Sequence, residues 1–570
     1  DFMTEEISAV NVNTSTNSSS SKDVPGPTGA STKDTASTSS SHAKEEDKQN
    51  PSITSSDAGV LLQTGTLDSS VAGRKDKILF TATAILRSCD LFVPTKLVPD
   101  VFSSASVKIT KIATSCSACH SLCIDTNGNL YGWGRNEEAQ LSSSSNNWSE
   151  STAKLSVYKP RKIDGPWSAD ATPLTTAAVG KSHSIVIDAK GLAYACGSNK
   201  CGQLGVGLNT DRFTTFKKCA ILTNLPPSKA SSNTATTNNS TTLPTSTDTI
   251  RLLQVSCGEA FTVALDQDGF LYSTGSSEYG QLGNGETGEY IEKAGKVSFA
   301  NAKQFERRTL FYSNYDDDKI TLLPNGNSIQ LAHISCGRHH TVAVEKKTLT
   351  NTAPRVYSWG CGNFGCLGHR VQADEYAPRV VEGLTGPLFN SNYPVRAAAG
   401  TSCSLVITSS GHLYYWGKHG RSNNEATMRP TLQESLAHNG HIVKDASAGN
   451  STVVVCTENG STISWGVGPC GELGHGFATK SSAKPQFVES LDKCLVTTVS
   501  CGYGHTLFLV RDEDEEDHAL VAKLSSVFSK ELLEIEEEEE EGLQQITGNA
   551  TSTKKQKKSA AGKGKKGKRN

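Results

Sequence analysis

From Thr341 to Val344 the chain reads Thr-Val-Ala-Val, and from Val356 to Trp359 it reads Val-Tyr-Ser-Trp. Gly337 precedes the first run, and Gly360, Gly362, Gly365 and Gly368 follow the second. Alternation with period two, in β-branched and aromatic side chains punctuated by glycine, predicts two short strands and tight turns. The pattern returns along the chain. The Gly-x-x-His turn of Gly337–His340 recurs at Gly180–His183 and Gly502–His505, and looser copies start at Ser117, Gly258, Gly400 and Gly449. An aromatic-rich second strand follows the first six copies: LYGWG (130–134), LAYACG (192–197), FLYSTG (270–275), VYSWG (356–360), LYYWG (413–417) and TISWG (462–466). Most then enter a G-x-L-G turn: GSNKCGQLG (197–205), GSSEYGQLG (275–283), GCGNFGCLG (360–368) and GVGPCGELG (466–474).

A unit of roughly 50 residues with about four short strands is the size of a propeller blade. One such sheet is too small to bury its own apolar face. Packing several face to face around an axis solves this and leaves only short edges. The predicted fold is therefore all-β, a seven-bladed β-propeller over residues 76–511. The last copy has a first strand, Thr506–Val510, but no aromatic partner after it. An N-terminal strand is expected to complete the seventh blade, with KILFTATA (77–84) as the candidate.

These repeats resemble the regulator of chromosome condensation repeat, whose family fold is a seven-bladed propeller. EATMRP (425–430), SAGNSTVVVC (447–456), TISWG (462–466) and GELGHG (471–476) resemble its mitotic, chromosome-passenger-like branch. So does SSEYGQLG followed by a long insertion carrying Arg307 and Arg308. The UV-B photoreceptor branch needs a tryptophan in the turn that here reads GRHHT, and is rejected. The resemblance implies a nuclear and cytoplasmic protein, chromosome-associated in mitosis, that regulates a small GTPase of Ran, Rac, Ral or Arf type. It also implies chromatin and microtubule-associated partners. In the founding member, acidic and histidine side chains of such turns contact Ran. GRHH (337–340) places His339 on that histidine beside Arg338, and Glu259 is at best a substitute for the acids. In the resembled branch a hairpin contacts a Rac-type GTPase. Here RTLFYSNYDDDKITLLPNG (308–326) predicts a projecting hairpin, and Tyr315, Asp316, Asp317, Asp318 and Lys319 become contact candidates at its turn.

Composition adds the flanks. Residues 1–75 are rich in Ser, Thr, Asp, Lys and Gly and poor in aromatics, and are expected to be disordered. Insertions are expected at 142–155, 225–249 and 284–333. Apolar residues from Leu520 to Ile535 predict an acidic helical segment over 512–542 that frays at Glu536–Glu541. The tail, 543–570, carries Lys554, Lys555, Lys557, Lys558, Lys563, Lys565, Lys566, Lys568 and Arg569. Such a cluster serves nuclear import or attracts nucleic-acid phosphate. Overall net charge is −2, so the whole chain is not a basic nucleic-acid binder. No membrane-length apolar run or apolar signal core occurs, and the 16 cysteines, several at shared repeat positions, read as reduced buried residues of an intracellular protein.

Two motifs imitate cofactor sites. Cys116-Ser-Ala-Cys119-His120 matches a haem-attachment pattern, but His120 occupies the repeat position of His183, His340 and His505, where no cysteine pair stands. Gly360-x-Gly362-x-x-Gly365 matches a dinucleotide fingerprint, but follows an aromatic strand and continues into a loop. No cofactor, metal or catalytic constellation is expected, so the chain reads as a binding protein, not an enzyme. At most it is a non-covalent guanine-nucleotide exchange factor. The alternative is a purely structural scaffold.

Overall fold

The computed structural model describes residues 58–67, 90–102, 107–143, 156–222, 250–285, 329–349, 351–418 and 426–534, with short pieces at 289–291, 297–299, 302–308, 312–313 and 320–321. All belong to one compact unit, Ile53–Asn570.

Seven antiparallel four-stranded sheets follow one another, numbered here as blades 1 to 7. Their innermost strands are Ile109–Ala113, Leu174–Val179, Leu252–Cys257, Leu331–Cys336, Pro394–Ala399, Val443–Ala448 and Val496–Cys501. Blade 4 shows the plan: Leu331–Cys336, His340–Glu345, Val356–Gly360 and Glu375–Val380 pair in sequence order. The alternation read from sequence has a direct cause. In the innermost strand Leu331, Ile334 and Cys336 are buried between blades, whereas Ala332, His333 and Ser335 are not. Every residue of the second strand, His340–Glu345, is buried, because both of its faces meet neighbouring blades. Phe261, Val263 and Leu271 of blade 3 pack against Ile334, Ala343, Tyr357 and Trp359 of blade 4 in one such interface.

Closure uses two strands from each end of the chain. His505–Arg511 of blade 7 pairs antiparallel with Gly59–Thr66, from Gly59↔Arg511 to Gly65↔His505, and Gly59–Thr66 pairs in turn with Asp90–Leu97. An N-terminal strand thus completes the last blade, but it is not the expected one. Residues 77–84 lie outside the described residues, and the propeller starts at Gly59, inside the segment expected to be disordered. Leu61 and Leu62 explain this: both are fully buried, apolar area that the Ser/Thr-rich average of the region hides.

Two further expectations need correction. The insertion placed at 284–333 contains the outer strand of blade 3, Ala302–Arg308, paired with Leu271–Gly275. A small hairpin precedes it, Glu289–Ile291 with Val297–Phe299, and a second follows it, Tyr312–Ser313 with Ile320–Thr321, where the projecting one is expected. The turn of the latter, with Tyr315, Asp316, Asp317, Asp318 and Lys319, lies outside the described residues, as do 144–155 and 225–249. The segment 512–542 is not one helix. Glu515–Ala522 is helical, N-capped by Asp514, whose carboxylate accepts the Asp517 N–H at 2.8 Å. Ser525–Val527 then adds to Thr95–Leu97 as a parallel strand, and 529–534 is helical again. The outer edge of blade 7 presents unpaired backbone groups, and satisfying them outcompetes a continuous helix. Leu532 is fully buried beside Leu97, Val98 and Phe102, so this segment clasps the closing strands. Glu536–Glu541 and the basic tail lie beyond the described residues.

Candidate recognition face

Within each blade the turn between first and second strands and the loop between third and fourth open on the same side, because the strands alternate in direction. That face therefore gathers the Gly-x-x-His-type turns, which join the two innermost strands, around one mouth of the central channel, with the G-x-L-G loops farther out.

The first and fourth turn positions are structural. Gly337 has no side chain because the His340 ring lies over it: a Cβ would stand 2.3 Å from the ring Cε1, and Gly180 and Gly502 meet His183 and His505 in the same way. The ring then reaches the next blade. His340 Nε2 is 2.9 Å from Ser404 Oγ, His183 Nε2 is 3.1 Å from Thr262 Oγ1, and His120 Nε2 is 2.9 Å from Ser184 Oγ. His505 Nε2 is 2.7 Å from Ser121 Oγ, joining blade 7 to blade 1. Each ring Nε2 is thus satisfied by a hydroxyl of the neighbouring sheet. Burial holds these rings neutral, with pKa values lowered to about 3 for His120 and His183 and about 4 for His340 and His505. His120 is thereby a latch like the others. Gly360–Gly365 runs from a strand into a single 3₁₀ turn, Asn363–Gly365, without the helix N-terminus a pyrophosphate would need.

The aromatics act in the opposite sense round the ring. Trp359 Nε1 donates to Gln281 O of blade 3 at 3.0 Å and Trp416 Nε1 to Cys366 O of blade 4 at 2.7 Å. In the channel, adjacent inner strands are bridged by side chains. Ser256 Oγ accepts the Cys336 N–H at 2.9 Å, Ser335 Oγ accepts the Ala399 N–H at 3.0 Å, and Ser447 Oγ accepts the Cys501 N–H at 2.9 Å. Arg396 pairs with Asp445 at 2.7 Å. The cavity, about 300 Å³, is lined in part by these groups, which hold the ring, while the buried Ser115 Oγ beside them has no partner among the described residues. On the turn face, the turn of blade 1 is longer than the rest and carries Cys116, a fully buried thiol pushed up to about 11 by burial. Every described cysteine is a free thiol.

The second turn position varies, and three consecutive blades place charges there: Lys181, Glu259 and Arg338. Neighbouring turns are tied through backbone. Glu259 N–H donates to Arg338 O at 2.9 Å and Tyr503 N–H to Ala118 O at 2.9 Å. Glu259 is the centre of the cluster, its side chain 16 % exposed. Lys181 Nζ lies 2.5 Å from its Oε1, and Arg338 Nε and His339 Nε2 lie 2.5 and 3.3 Å from its Oε2. Burial opposes its charge, but the hydrogen bonds from Lys181 and Arg338 prevail and hold its carboxyl below the usual range. His339 is lowered by burial despite Glu259, and its ring rests against Tyr279 at 5.0 Å between centroids. Arg338, His339 and Glu259, singled out from sequence, are thus one site. Lys181 was missed, although aligning the turns puts it in register with Glu259 and Arg338.

The profile of the regulator of chromosome condensation (RCC1) repeat matches residues 127–187, 355–407 and 459–509, and a second profile of the same description matches 111–140, 175–203 and 253–281. Protein RCC2 of Homo sapiens is 32% identical over 426 residues, covering 74% of this chain and 71% of that one. The chain belongs to the RCC1-repeat family. Another RCC1-repeat relative, Protein RCC2 homolog of Xenopus laevis, is 33% identical, with 73% and 72% covered. The secretion-regulating guanine nucleotide exchange factor of Mus musculus is 26% identical, with 70% and 75% covered. Among solved structures, yeast RCC1 (Prp20) bound to Kap60 superposes with a TM-score of 0.58 at 18% identity, covering 85% of this chain and 99% of that one. This RCC1-repeat propeller therefore shares the fold of yeast RCC1.

Proposed function

We propose that this RCC1-repeat propeller is a non-enzymatic regulator of a small GTPase, working in the nucleus and on chromatin during mitosis. The observation that carries the reading is the convergence of Lys181, Glu259, Arg338 and His339 at the channel mouth, on the face where the turns of all blades gather. Loops on a rigid scaffold are where recognition resides. A relative is named a guanine nucleotide exchange factor, and a structure of Prp20p is described with its binding to Gsp1p and histones. Exchange on such a face needs no covalent chemistry: the propeller binds the nucleotide-free GTPase more tightly than the loaded one and so shifts the population towards release. The hairpin around Asp316–Asp318 provides a second contact for a Rac-type partner. The tail from Lys554 to Arg569 supplies salt-sensitive attachment to nucleic acid, and microtubule-associated partners complete the mitotic role.

The test is capture of nucleotide-free Ran, Rac, Ral and Arf GTPases by the full chain, followed by nucleotide-release kinetics. Stable capture of one, weakened by His339→Ala, supports the reading. Capture of none leaves a scaffold propeller.

A further inference from the structure

We infer that Lys181 and Arg338 form a pre-set cationic fork that receives an acidic loop of a protein partner at the channel mouth. This deepens the functional reading, resting on the same face but not on the partner being a GTPase.

Glu259 spends its two oxygens on orienting the cations. It contacts Arg338 through Nε alone, and among the described residues Nη1 and Nη2 take no hydrogen bond. These are the two N–H edges that pair with a carboxylate in parallel. The Lys181 and Arg338 side chains stay 50 % and 47 % exposed while their brace is 16 % exposed, so the positive ends face outward and the negative one is covered. With His339 held neutral by its surroundings, one acid faces two cations. Glu278, a second acid whose charge acts on His339, makes no ion pair with either cation among the described residues. Because Glu259 has already fixed both side chains, an incoming acid meets little further ordering cost.

The geometry favours a side-chain carboxylate over a nucleic acid. The fork is a single pair of cations beside a half-buried, tilted Tyr279–His339 ring pair, not a stripe tracking successive phosphates. The chain's own Glu536–Glu541 lies outside the described residues; the 529–534 helix before it docks through Ser529 on Asp100, in the connection between blades 7 and 1 on the opposite face.

The probe is a fluorescent hexaglutamate peptide, titrated by anisotropy into the full chain with its tail residues Lys554 to Arg569 neutralised to Gln, so that only the folded part attracts it. Binding that weakens with salt is expected, reduced roughly tenfold by Arg338→Gln and further by Lys181→Gln in the same chain. Lys346→Gln, in the loop between second and third strands and so on the other face, is expected to leave it unchanged. Absence of binding, or equal binding by the native fork and the double variant, overturns the proposal. So does a deoxythymidine decamer that binds more tightly than hexaglutamate and loses its affinity in Arg338→Gln. Since no GTPase is present, failure here leaves GTPase capture open, and failed capture leaves this result standing.

Discussion

Lowering the pH from 7.5 to 5.5 is expected to loosen the ring through its four histidine latches. In an unfolded chain each imidazole titrates near 6.5, whereas in the fold burial holds His120 and His183 at about 3 and His340 and His505 at about 4. The folded values are depressed, so between about 6.5 and 4 the unfolded state binds the extra protons. The stability tied to the neutral rings is present above this window and is lost as pH falls through it. At pH 5.5, one unit below the unfolded value, each latch forfeits about 1.4 kcal/mol, and the four together roughly 5 kcal/mol. That is comparable with the whole stability of an ordinary domain, about 5–15 kcal/mol. Glu472 opposes the trend. Burial raises its folded pKa to about 7, so protonation of the fold recovers about 2 kcal/mol over the same range. Comparison with His340→Gln cancels this and every other group. Urea unfolding followed by circular dichroism at pH 7.5, 6.5 and 5.5 should show the native protein more stable than the variant at 7.5, with the gap narrowing by about 1.4 kcal/mol at 5.5. Parallel pH profiles for the two proteins would refute the latch.

Three further outcomes follow from the same packing. Gly337→Val places side-chain atoms where the His340 ring lies and should cost about 1–3 kcal/mol by urea denaturation. Trp359→Phe leaves the Gln281 carbonyl without its buried donor and should cost about 1–3 kcal/mol, more than the lost area alone explains. Leu532→Ala should cost about 2–5 kcal/mol if the C-terminal clasp is part of the cooperative fold, whereas an unchanged melting temperature would make it an independent appendage.

What could be read from sequence was whatever the repeat enforces. The Gly-x-x-His spacing is a packing constraint, a ring lying over a glycine, so it recurs wherever the packing does. The tryptophan before glycine recurs because its indole reaches the preceding blade. The closing strand escaped because Gly59–Thr66 has no repeat signature of its own: its partner strands lie at the other end of the chain, and the polar residues around it conceal Leu61 and Leu62. The outer strand Ala302–Arg308 escaped for a related reason. AKQFERR alternates weakly, and only Phe305 is known to be buried from it, so an edge strand flanked by two hairpins reads as one insertion. Ser525–Val527 was assigned to a helix because Leu520, Val521 and Leu524 fit that period, and nothing local reveals that an open sheet edge waits beside them. At the recognition face, Arg338, His339 and Glu259 were found as individual residues. Their convergence depends on blade order, which only alignment of the turns exposes.

That alignment also explains why the face can change chemistry without changing shape. Within each turn the first residue must accommodate a ring, thiol or hydroxyl, and the fourth packs towards the neighbouring sheet. The second is fixed through its backbone: the Glu259 N–H on Arg338 O, the Arg338 N–H on Gly400 O, the Thr401 N–H on Gly449 O and the Tyr503 N–H on Ala118 O carry the ring of turns from blade to blade. None of these bonds involves the second residue's side chain. Glu259, Arg338, Thr401 and Tyr503 are therefore presented at positions set by the backbone whatever they are, and their side chains contribute to recognition more than to folding. An ion pair as exposed as that of Arg338 contributes little to stability, whereas the same guanidinium, oriented and left with free N–H groups, contributes directly to binding an acid. Substitutions at the second turn position should therefore separate recognition from folding, and substitutions at the first and fourth should not.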